Sequence, residues 1–252
     1  MSPLPQWLPP TLPTNPAGRL HQLARILQGM NPGRPATEAW AAAFNSGPDA
    51  VQLFPQIAKV SRAIDVASAA VRNIPSLDKN LYLTWEQPLR TLVAHTNLDA
   101  QWSHFNIALS DTVIQSLAFC DHQLSLSTSE PALETEELRQ IRVDITQLLD
   151  DIRAAGLRPD LQAYLVNELQ RLIEAIDDAP LLGPEAFRDA VHEAVGAAIL
   201  LPDDTRNDLP PNLLERVQDI FRRVDKFLDL PAKLAEIALN ILMLTQGNPP
   251  HH

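Results

Sequence analysis

Apolar residues recur at three- and four-residue steps through most of this chain, and that period admits helices and little else. The clearest run is Leu138, Ile141, Ile145, Leu148 and Ile152, which steps by 3, 4, 3 and 4. Such a run is the seam of one helix lying along another. Leu161, Leu165, Leu169, Leu172 and Ile176 supply a matching stripe. Between the two, Gly156 stands where a C-terminal cap takes positive φ, and Leu157 can fold back on the last turn. Pro159 and Asp160 then restart a helix, with proline at its first position and an acid at the positive end of its dipole. This grammar predicts an antiparallel helical hairpin. Glycine is scarce, at 8 residues against 22 prolines, whereas an all-β chain needs many glycine turns. The expected fold is therefore all-α, a multi-helix bundle of about nine or ten helices with antiparallel hairpins and a proline-rich extended N-terminal arm.

The arm is residues 1–16, where Pro3, Pro5, Pro9, Pro10, Pro13 and Pro16 favour an extended chain without amide donors at those positions. Leu4, Trp7, Leu8 and Leu12 make it apolar for a solvent linker, so it lies on its own domain or straps onto a partner. An N-terminal helical subdomain is expected over 17–125. Its helices are read over 17–28, from Pro35 to about Asn45, over 48–74 with Pro55 at a kink or true start, around Leu89–Val93, and as one long helix from Asp99 to Leu124. A polar linker follows at 126–133, then an acidic C-terminal helical subdomain at 134–246 and a tail at 247–252. Charge supports this division. Residues 1–130 hold 8 Lys/Arg and 9 Asp/Glu, while residues 131–252 hold 12 and 22. So acidic a chain repels phosphate backbones, and no nucleic-acid partner is expected.

A single cysteine, Cys120, rules out an intrachain disulfide. The N-terminus lacks the basic and apolar blocks of a signal peptide, and no apolar stretch is long enough to span a bilayer. A cytoplasmic location without a transmembrane segment is the expectation. The helical stretch 151–200 resembles bacterial helical proteins, but it contains no chemical motif and implies no activity.

Catalytic motifs are missing: no glycine-rich phosphate loop, no Gly-x-Ser-x-Gly elbow, no His-Glu-x-x-His and no paired Cys-x-x-Cys. Asp189-x-x-His192, with Glu185 and Glu193 nearby, has the spacing of a bundle metal motif but lacks a second such helix, so it reads as a solvated face. His95, Asp99 and His104 form a looser cluster. Cys120 beside Asp121 and His122 reads as a core residue, because neighbours on a helix point about 100° apart. No catalytic residue, metal or cofactor is expected.

The suggestive features are surplus apolar surfaces at the two ends of the chain. Trp7, Leu8 and Leu12 form one. Leu234, Ile237, Ile241 and Leu244, on an expected helix over 233–244, form the other. The leading expectation is a non-enzymatic protein that binds another protein or itself through these residues. One alternative is an enzyme with an inter-helix pocket using His95, His104, Asp189 and His192. Another is a defence or toxicity effector that touches membranes through its last helix.

Overall fold

A computed structural model describes residues 4–127, 130–199 and 210–228. The chain divides into two compact units, Met1–Thr135 with Asp178–Gly183, and Glu136–Asp177 with Pro184–His252. Among the described residues there is no strand, only isolated bridges at Thr11–Glu134 and Pro35–Gln101. The all-α expectation holds.

The first unit starts from the arm, and its prolines dictate how it is held. Leu12 retains an amide and donates to the Leu133 carbonyl at 2.9 Å, while the Pro10 carbonyl accepts from the Thr135 amide at 2.8 Å. The Thr135 hydroxyl donates to the Pro9 carbonyl at 2.5 Å. The arm thus runs against residues 130–135 as a short irregular pair. Leu4, Leu8 and Leu12 are buried beneath it. The arm ends at Asn15, whose side chain accepts from the Gly18 amide and caps α1 (Pro16–Gln28) with proline at its first position.

After α1 come α2 (Ala36–Phe44) and α3 (Ala50–Arg72). Asn45, at φ 51°, closes α2 in the left-handed conformation, and Asp49 caps α3, placing Pro55 inside the helix rather than at its start. Short helices α4 (Lys79–Tyr82) and α5 (Glu86–Ala94) follow. The single helix expected over 99–124 is broken into α6 (Ser103–Asn106), a 3₁₀ turn at Ile107–Leu109, and α7 (Asp111–Ser127). The Trp102 and Ser103 amides donate to the Arg34 and Pro32 carbonyls at 2.7 and 2.8 Å, which sets the start of α6 at Ser103 rather than at Asp99. At the break itself the Leu109 carbonyl accepts from the Gln28 side chain at 2.9 Å. Ser110 at ψ 158° then interrupts the helix before α7 begins. The expected apolar face survives the break, since Phe105, Leu109, Val113, Leu117 and Cys120 are all buried.

The second unit is built on α8 (Thr135–Ala154) and α9 (Pro159–Leu182). Their ends pair crosswise, Arg142 with Asp177 at 2.6 Å and Gln162 with the Arg153 carbonyl at 3.1 Å, which makes the hairpin antiparallel as expected. Leu138, Ile141, Ile145, Leu148 and Ile152 are buried along its seam, as are Leu161, Leu169, Leu172 and Ile176. Helices α10 (Pro184–Ile199) and α11 (Pro211–Leu228) add Phe187 and Val191, and Leu213, Val217 and Val224, to the buried set.

Residues 126–133, read from the sequence as a linker, are more than a spacer. Helix α7 continues through Ser127, Leu133 is buried, and Glu130 faces Arg19. The Arg19 side chain is 1% exposed. It pairs with Glu130 at 2.5 Å and donates to the Pro13 carbonyl at 3.2 Å. Its other donors reach the Leu181 and Leu182 carbonyls at the end of α9, at 3.3 and 3.5 Å. A guanidinium presents several donors in a fixed fork, so one buried charge satisfies carbonyls from separate segments.

Removing this side chain leaves Glu130 and three carbonyls without it. Arg19→Ala is expected to lower unfolding free energy by about 3–5 kcal/mol, and Arg19→Lys to recover only part, as measured by urea denaturation. Glycines give a graded check. Gly156 sits at φ +62° with nothing within 4 Å of an added Cβ, whereas Gly183 sits at φ +86° with the Arg19 guanidinium 2.5 Å from that position. Gly156→Ala should cost about 1 kcal/mol from backbone strain alone, and Gly183→Ala distinctly more. Equal losses would mean the guanidinium moves aside freely.

Candidate functional site

The groups best suited to chemistry are occupied in holding the first unit together. Cys120 is fully buried on α7. Its Sγ donates to the Tyr82 carbonyl at 3.0 Å and accepts from the Trp85 indole at 3.3 Å. Burial pushes the thiol above its usual pKa, and the Trp85 hydrogen bond offsets this only in part. Asp121, one position on, turns to Asn15 at 2.7 Å rather than to the thiol, and His122 is exposed. This constellation is structural. His95 lies edge-on to Phe105 with centroids 4.9 Å apart, and His104 is exposed.

The acidic face of α10 is likewise open to solvent. Asp189, His192 and Glu193 are exposed, and Glu185 pairs with Arg188. Among the described residues no group of three or more His, Cys, Asp or Glu side chains is placed to hold a metal ion. In the second unit, an open cleft of about 500 Å³ is lined by Asp144, Arg216, Asp219, Ile220, Arg222 and Arg223. Its guanidiniums are matched by carboxylates: Arg216 with Asp151, Arg222 with Asp219, and Arg223 with Asp144. Charge in the cleft is neutralised internally, which weakens it as an anion site. On α9, burial and the adjacent Glu168 push the Tyr164 phenol well above its usual range. Its hydroxyl sits 3.4 Å from the Ala194 carbonyl, a packing role.

The residues expected to form an interaction surface divide into two groups. At the arm, Leu8 and Leu12 are buried in the first unit, and half-buried Trp7 donates its indole N–H to the Ala43 carbonyl at 2.8 Å. The arm is a strap in cis, and its apolar side chains face their own core. Leu234, Ile237, Ile241 and Leu244 lie outside the described residues.

Exposed apolar side chains instead lie where the sequence reading did not place them. On α7, Phe119 and Leu126 are 65% and 71% exposed. On α3, Val51 is 78% exposed, and Phe54 and Val66 also face solvent. Helix α3 is apolar on two sides: Leu53, Ile57, Val60, Ile64, Ala67 and Val71 are buried, while Pro55, Ala58 and Ala69 join Val51, Phe54 and Val66 outside. The solvent side of α8 is the contrast, with Glu136, Glu137, Gln140, Gln147, Asp150 and Arg153 around a lone Val143. A weak amphipathic pattern in a long helix was the available signal for α3. The outward side of α3 also carries Gln52, Arg62, Asp65 and Arg72, so its apolar residues are interspersed with polar ones.

No helix among the described residues is long and apolar enough to cross a membrane. The chain matches no known family, no curated protein and no solved structure.

The Cys120 environment yields a prediction. The Cys120 thiolate is what attacks a disulfide reagent, so labelling of the native protein should be slow compared with the urea-unfolded chain. A folded pKa raised above the unfolded one contributes stability that is complete below the unfolded value. That contribution is lost as pH rises through the folded one. Wild type should therefore lose more stability than Cys120→Ala between neutral and alkaline pH, measured by denaturant titration. Parallel losses would count against burial as the cause.

Proposed function

We infer that this protein acts without catalysis, by associating through apolar helix faces of its first unit with protein: a partner chain or another copy of itself. The observation that carries the reading is the pair of exposed apolar surfaces on α3 and α7. Single exposed hydrophobic residues are ordinary, but a series along one helix marks a contact surface. Support also comes from where the reactive groups sit. Cys120, Asp121, His95 and the arginines of the second-unit cleft each have a structural partner, so they are engaged in packing and pairing.

A photo-crosslinking residue placed at Val51 or Phe119, in protein expressed in its native host, tests this reading. The expected outcome is discrete protein adducts from these positions and none from Gln140 on the solvated side of α8. Uniformly empty lanes, together with full biological activity when both positions carry charged residues, would overturn it and favour a small-molecule role.

A further inference from the structure

We draw no further inference here: the strongest candidate, the exposed apolar patch of Phe119 and Leu126 on α7, belongs to the association surface already described, and nothing in the structure shows what covers it.

Discussion

A single guanidinium sits where four parts of the first unit converge, and the rest of that unit depends on its being satisfied. Arg19 projects from α1 into a site where it meets Glu130, the Pro13 carbonyl of the arm and the last carbonyls of α9. An unpaired charge in such a place would cost several kcal/mol. The segments that supply its partners must therefore arrive together. The final turn of α9 leaves its carbonyls without helical partners, as every helix end does, and here a side chain from more than 160 positions earlier meets two of them. Arm, helix end and the 130–135 segment are thus linked by one set of hydrogen bonds.

Around that polar centre the aromatic residues build the apolar one. Trp40 stacks on Phe44 and meets Trp102 edge-on, and Trp102 stacks on Phe105. The Trp102 indole donates to the Leu27 carbonyl at the end of α1, and the Trp85 indole finds Cys120. The buried Trp40 indole N–H, by contrast, has no hydrogen-bond partner among the described residues, so that ring is held by packing alone. Cys120, Asp121 and His95 thus serve as packing and pairing groups of the first unit, while Phe119 of α7 and Val51 of α3 stay exposed.

Legibility in the sequence followed the range of the interaction. The hairpin of α8 and α9 was plain because seam, cap and restart all lie within neighbouring turns: Ile145 and Leu148, then Gly156, then Pro159. The break between α6 and α7 was not, because the Leu109 carbonyl at the break is met by the Gln28 side chain from some 80 positions earlier. Ser110 beside Asp111 was the local hint. Arg19 shares its helix face with Leu23, four residues on, yet nothing nearby announces Glu130 as its partner. The arm's apolar residues were noticed correctly. That they fold onto Ala43 and Leu133 rather than a partner depends on contacts that periodicity does not encode. Phe119 and Leu126 escaped notice because α7 is apolar on more than one side, and a pattern cannot say which side is covered.

The sequence by itself determined helix as the class of structure, most helix starts and stops, the antiparallel hairpin and the stripes that are buried. Those properties arise from interactions three to five residues apart, where backbone geometry fixes who meets whom. Tertiary structure alone decided that the arm lies in cis, that a buried arginine gathers four segments, that the helix near Leu109 is broken, and which second face of α3 stays open. Each of these depends on the free energy of contacts between distant segments. A buried charge or an unpaired amide finds its partner wherever the fold brings one, and no spacing along the chain records that choice.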